Sequence, residues 1–580
     1  MAGHALDVAP LAFKSLTIAW RTLDDTLSFP EDSQDLELRL ETTRAHLTIW
    51  AHVCDIENGV LRPSLVPFDE LIGKALNRIW KLLTDVEQRA DSYGLVKKGQ
   101  EGDIEMKPKL VVAQMRRSLH RALASSKPES KLGELVEVDR IGNRLPVSAD
   151  TGLAKQLKWG VKDKKKFEHF VVTLETHVNG LHKLLPETER RGLRREETRF
   201  GFQVVHDFSD LHSLSQLQNT SMQNQTPGAV DVAQLAQWKA ITLTRASSES
   251  LGLLQTEGLT VANILPINRA NFSFTQRSPL DPDITYLFEK KEYDTNISDS
   301  DKDLLKERIR KLIVLLKNKG TQRHLHTLQP VDHLDDPEYH CWWIVFRFPL
   351  PPFSVTAFPT NEFQPLNLLS LYASRIKPPL ELRYRLAKRI AGSLSKLFGS
   401  DWMHKSINSS NIIYTQFFSF DALNNFKALN TALIQGFGYS RQHTEAQTID
   451  RGKVLRGLYA ALYRHPNYQG EAASGYKIHH DIYSLGLVLF EIANWSPLSD
   501  MLTIRPKIKP PVDLYPGMKH FHQAEASELK RRVMIRVELD LPYRVGSKYA
   551  ELVKWCLNLN GPVTAIEFYN EVTVPLEELC

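Results

Sequence analysis

The chain has 580 residues, 73 Lys and Arg against 68 Asp and Glu, a net charge of +5, and 42% hydrophobic side chains. That length exceeds what one hydrophobic core organises and predicts about two to four domains. The mild charge excludes a general nucleic-acid-binding surface and leaves only local basic clusters to explain.

Cys54, Cys341, Cys556 and Cys580 are scattered, with no C-x-x-C spacing, so neither a zinc site nor a disulfide framework is expected. A reducing, cytoplasmic compartment fits this usage. Asp7, Pro10 and Lys14 interrupt the apolar start, which argues against a secretory signal. No run of about eighteen uncharged apolar residues occurs, so membrane activity would have to be conditional.

Residues 1 to about 190 read as helices. From Asp35 to Trp50, Leu36, Leu40, Leu47 and Trp50 recur at helical spacings between charged residues, predicting an amphipathic helix with one buried stripe. A second helix is expected from Phe68 to Val86, with Leu71, Ala75, Ile79, Leu82 and Val86 inward. A third follows Trp159, with Phe167, Phe170, Leu174, Val178 and Leu181 inward and a basic run, Lys162 to Lys166, at its start. Residues 216–235, rich in Ser, Gln, Asn and Thr, read as a polar linker.

Beyond residue 236 the pattern changes. Short β-type runs, Ile284 to Phe288 and Cys341 to Phe348, flank an amphipathic helix from Leu304 to Leu316. After the Pro-rich segment 349–353, Leu382, Leu386, Ile390, Leu394 and Leu397 mark another helix. Strands first and helices later predict an α+β small lobe (about 236–348) and a mostly helical large lobe (about 353–580).

One constellation carries the chemistry. His404-Lys-Ser406-Ile-Asn-Ser-Ser-Asn411 follows that helix, and Gly436-Phe437-Gly438 comes 25 residues after Asn411. Asp481-Ile-Tyr-Ser-Leu-Gly486-Leu-Val-Leu-Phe-Glu491 comes later. The three segments resemble, in order and spacing, the H-R-D-L-x-x-x-N, D-F-G and D-x-x-S-x-G-x-x-L-x-E motifs of protein kinases. The resemblance implies a bilobal protein-kinase-like fold over 236–580. It assigns structural roles to Asp481, Gly486 and Glu491, the phosphate-binding lysine to Lys291, with Lys290 as the alternative, and its ion-pair partner to Glu307.

The two catalytic aspartates are replaced by Ser406 and Gly436. Ser406 is no base near neutral pH, and Gly436 cannot ligate Mg²⁺. No G-x-G-x-x-G precedes the Lys291 strand. The expectation is a pseudokinase with no catalytic residue, no metal site and no resident cofactor; weak ATP binding through Lys291 and Asn411 stays open. An unconventional active kinase would need Asp401 or Asp481 to take over. Tyr549 to Leu557 resembles a late kinase-lobe helix with Cys556 as a packing residue, and Arg464-His465-Pro466 stands at the A-P-E position.

The N-terminal 215 residues carry a second resemblance. Leu36 to Ile56, Trp159 to Leu185 and Val8 to Trp20 are similar to helices of HeLo domains, the prion-inhibition and propagation bundles of filamentous fungi, linked to heterokaryon incompatibility and programmed cell death. The resemblance implies an all-α bundle whose first helix, through Leu6, Val8, Leu11, Phe13, Leu16, Ile18 and Trp20, contacts lipid on activation at the plasma membrane. The same residues equally fit a bundle core. Implied partners are a protein or upstream signalling receptor, further copies of the chain, and lipid; an interaction scaffold without membrane activity is the rival.

Overall fold

The computed structural model describes residues 8–29, 33–85, 92–93, 95–97, 110–125, 159–161, 163–224, 227–244, 254, 257–264, 266–269, 271–281, 283–349, 365–373, 377–415, 429–442, 458–469, 475–504, 510 and 512–580. Leu6 and most of the Pro-rich segment 349–353 lie outside these. The chain forms two compact units, Met1–Ala240 and Ile241–Cys580.

The first unit is a helical bundle: α1 (Val8–Thr26), α2 (Gln34–Cys54), α3 (Asp69–Thr84), α4 (Leu110–Ala124), α5 (Lys164–Lys183), α6 (Glu187–Asp207), α7 (Leu211–Gln223) and α8 (Pro227–Leu243). Side chains start several of them. Asp163 accepts the amides of Lys165 and Lys166, and Asp210 accepts that of Ser213, supplying N-caps to α5 and α7. Short strands β1 (Leu27–Ser28), β2 (Leu95–Lys97) and β3 (Trp159–Val161) form a small sheet with β3 central.

Three expectations need correction here. Helix α2 does not bury one stripe; it is the hub of the bundle, packed by α4, α5, α6 and α7, and Arg39, Glu41, Thr42, Thr43 and His46 are buried along with its leucines. Each buried polar group finds company. The Arg39 guanidinium makes a two-pronged ion pair with Glu175 at 2.7 and 2.8 Å, and His46 Nδ1 lies 3.1 Å from Glu197. In α3 the buried face is Ile72, Leu76, Ile79 and Leu83; Leu71 is 50% exposed, one position off the expected stripe. The expected polar linker 216–235 falls in α7 and α8, where Leu217, Thr220, Ser221, Val232, Ala233 and Leu235 are buried. In α5, by contrast, Phe167, Phe170, Leu174, Val178 and Leu181 are all inward, as periodicity predicts.

The second unit begins with an antiparallel sheet in the order β4–β5–β7–β6, from β4 (Ser273–Arg277), β5 (Thr285–Glu292), β6 (Gln329–Asp336) and β7 (Cys341–Phe348). Strands β5 and β7 pair over their full length, from Thr285 with Phe348 to Glu292 with Cys341. Phe274 stacks on Phe288 and meets Trp343 edge-on, on one face of the sheet. Helix α9 (Asp299–Lys317), capped by Ser298, follows β5 and packs on β6.

The rest is mainly helical: α10 (Leu380–Gly399), α11 (Ile478–Asn494), α12 (Gln523–Leu539) and α13 (Ser547–Asn558). Every residue of α11 from Ile478 to Ala493 is buried, polar ones included, so this helix has no solvent face and forms the core. Short strand β8 (Leu366–Asn367) precedes α10; between α10 and α11 run β9 (Trp402–Met403), β10 (Ile412–Tyr414), β11 (Leu433–Ile434) and β12 (Arg441–Gln442), with β10 pairing β8 and β11, and β9 pairing β12.

Candidate functional site

The three segments singled out by spacing converge. Asp481, in the first turn of α11 and fully buried, accepts the backbone N–H of His404 at 2.7 Å through one oxygen and that of Lys405 at 2.8 Å through the other. The Tyr476 hydroxyl donates to it as well, at 2.6 Å. Burial pushes this carboxyl up to about 6, against the pull of those donors. The loop it holds is tightly bent: Lys405 has φ 66°, in the left-handed region.

His404 is buried, and its ring centre lies 4.5 Å from that of Phe437, so the His404 loop and the Gly436–Gly438 turn pack through their aromatic rings. Burial pulls the imidazole down to about 3, keeping it neutral. Ser440 Oγ donates to the His404 carbonyl at 3.1 Å, a second tie between the two segments.

Asn411 Nδ2 donates to Ser406, to its carbonyl at 2.7 Å and to its Oγ at 2.9 Å. The Asn411 amide thus closes the loop on itself. It also fills the space beside residue 436: Gly436 has φ 88°, and a Cβ there would sit 2.6 Å from Asn411 Cγ and closer still to Nδ2. Only glycine fits that position while Asn411 keeps this orientation.

The side chain that reaches the Gly436–Gly438 turn from the sheet is Glu289, in the middle of β5. Its Oε1 accepts the Gly438 N–H at 2.6 Å and its Oε2 the Gly436 N–H at 3.3 Å. Burial pushes this carboxyl above its ordinary range while the two amides pull it back. Lys291, two residues on along the same strand, is buried with its Nζ 4.0 Å from the centre of the Tyr439 ring. Glu307 lies half-buried on α9. Lys290 is on the opposite face of β5, bonded to the Arg269 carbonyl at 2.7 Å. The set Ser406, Asn411, Gly436 therefore presents a hydroxyl and an amide, while the nearby carboxyl of Glu289 has both oxygens taken. Such donors do not fit Mg²⁺, a hard ion that needs carboxylate oxygens free to bind it.

Glu491, at the far end of α11, accepts the Ser409 hydroxyl, the Tyr463 hydroxyl at 2.7 Å and the Leu498 N–H at 2.6 Å, and burial pushes it up to about 7. Gly486 lets α13 approach: a Cβ there would be 2.8 Å from Cys556 Cβ. Cys556 is fully buried, its thiol pushed up by burial, as a packing residue. Asp401 sits at the bend after α10 with φ 61°. His465 packs between His479, His480 and Tyr483.

In the first unit, α1 packs chiefly on α3. Leu16 and Trp20 are buried, Phe13 is half-buried, and Val8, Leu11 and Ile18 are exposed, Ile18 at 61%. No described helix is long and apolar enough to cross a membrane.

Residues 12–217 match the HeLo family model, described as prion-inhibition and propagation. No curated protein matches the chain. The HeLo match runs from within α1 to within α7 and includes the hub α2. It stops short of the second unit.

Sequence reasoning passed over Glu289, Tyr463 and Tyr476. Glu289 left a faint signal: an acid inside an otherwise strand-forming run, TYLFEKKE, every residue of which is buried. A buried carboxyl in a strand needs donors, and only the folded chain shows that they come from residues 436 and 438.

Proposed function

We propose that residues 241–580 are a catalytically silent, protein-kinase-like module that restrains the HeLo-matching bundle in fungal incompatibility or cell-death signalling. One observation carries the reading. A buried aspartate of the core helix, Asp481, holds the backbone of a loop with kinase catalytic-loop spacing, while serine and glycine stand at both positions where phosphoryl transfer needs aspartate. The His404–Phe437 contact, the glycine-only space at 436 and the placement of α9 directly after the Lys291 strand support the same reading.

In this scheme the module is a docking platform rather than an enzyme. It has no metal or resident nucleotide, and a protein partner or upstream receptor binds it and releases the bundle. The released bundle, alone or with further copies of itself, then moves from the cytoplasm to lipid, led by the exposed Val8, Leu11 and Ile18.

The test is a comparison of the full chain with residues 1–240 for leakage of anionic liposomes and for toxicity on expression. Greater leakage and toxicity from the truncated chain are expected. Equal behaviour of the two refutes restraint. A second reading, a scaffold with no membrane activity, draws on the burial of Leu16 and Trp20 in the bundle; it predicts no leakage from either chain.

A further inference from the structure

We propose that Glu289 permanently braces the Gly436–Gly438 turn against the small sheet, so that the second unit holds these layers together without a nucleotide and excludes nucleoside polyphosphates from the space between them. The excluded ligand rests on the kinase-like reading above; the brace itself rests on geometry alone.

Glu289 is placed by the strand register. It pairs with Ile344 in the centre of β5 and β7, so its backbone is fixed from one side and by β4 from the other, where it pairs with Ser273. Alternation along β5 puts Glu289 and Lys291 on one face and Lys290 on the other. The shared face meets residues 436–439: Glu289 on the two amides, Lys291 on the Tyr439 ring. Both carboxyl oxygens are therefore used across the junction between sheet and helical part, and the residue is buried.

A polyphosphate needs donors and cations, with a metal between its oxygens. Here the turn's amides already have their acceptor. The acceptor oxygens of Glu289 stand where phosphate oxygens would meet repulsion rather than a donor. Gly436 supplies no carboxylate for a metal, and Asn411 fills the place where one would begin. A protein that relies on a nucleotide to join two lobes is loose without it. Hydrogen bonds from amides to a buried carboxyl do the joining here from within the chain.

Hydrogen–deuterium exchange on the full chain tests the brace, and thermal shift with ATP or ADP, with and without Mg²⁺, tests the exclusion. In Glu289→Ala, exchange over residues 433–440 should rise by about tenfold or more, as two buried amides lose their acceptor, while the core helix 478–494 stays protected. Glu289→Gln, which keeps one acceptor oxygen, should fall between. The wild type should show no shift with either nucleotide. Unchanged exchange at 433–440 in both variants overturns the brace. Stabilisation of the wild type by a nucleotide overturns the exclusion. If Glu289→Ala unfolds throughout, Glu289→Gln is judged by the same criteria. Neither outcome bears on restraint of the bundle, which the truncation decides.

Discussion

At residue 436 the structure leaves no room for a side chain. Asn411 has turned onto Ser406 and occupies the volume that any side chain at 436 would need, and the backbone there is left-handed. The two features lock each other in. Placing aspartate there by Gly436→Asp should therefore not create a metal site. It should destabilise the protein by about 2 kcal/mol or more, from strain at positive φ and the forced displacement of Asn411. Thermal melts with and without Mg²⁺ check this: a lowered melting temperature with no gain from the metal is expected. A Mg²⁺-dependent stabilisation would mean that Asn411 moves aside at little cost. The Asn411–Gly436 interlock was not legible in the sequence, because spacing says which residues share a loop and nothing about which way an amide turns.

At the scale of elements, legibility followed periodicity. The helices 164–183 and 380–399 were readable because each buries one continuous face, and the strand 341–348 because a run of aromatic and branched residues has few other solutions. Helix 34–54 misled because a hub has no solvent face, so its polar residues look exposed when they are paired inside. The segment 216–235 misled because its small polar side chains fit between closely packed helices as well as they fit water. Strand 329–336 was not anticipated at all: QPVDHLDD has little β propensity and is held by its full-length neighbour, with Asp332 buried beside His333. Close approach of elements also sets a prediction. Gly486 is where the core helix meets Cys556, so Gly486→Ala should cost about 1–3 kcal/mol by overpacking, measured by urea denaturation. A neutral result would show that helix 547–558 can retreat freely.

For the molecule as a whole, pH acts through buried imidazoles. Burial pulls His480 down to about 3 and His465 to about 4, with His479, Lys477 and Lys530 nearby adding positive charge against protonation. Their unfolded values lie near 6.5. The unfolded chain thus takes up these protons first as pH falls. The stability they contribute is complete above about pH 6.5 and is lost progressively towards pH 3–4. Asp481 and Glu491, pushed up to about 6 and 7, work in the opposite sense over part of that range, so the whole-protein profile mixes the two. A difference isolates the imidazole: His480→Gln should lose less stability than the wild type between pH 7 and pH 5. Parallel melting curves across that range would assign the acid sensitivity elsewhere. His480 Nδ1 also accepts the Lys477 N–H at 3.2 Å, a bond only the neutral ring can accept, which ties the protonation state to the start of the core helix.

The Arg39–Glu175 pair, with Glu197 close to His46, has a consequence for how the first unit can come apart. Sliding helix 34–54 a little way from helix 164–183 would part a buried guanidinium and carboxylate before either is fully hydrated. The small displacements are then the most uphill, and full separation, with both charges hydrated, is easier than half of it. Such a bundle does not respond in proportion to the force on it. Its opening is cooperative, resisting small displacements and completing once the pair is broken.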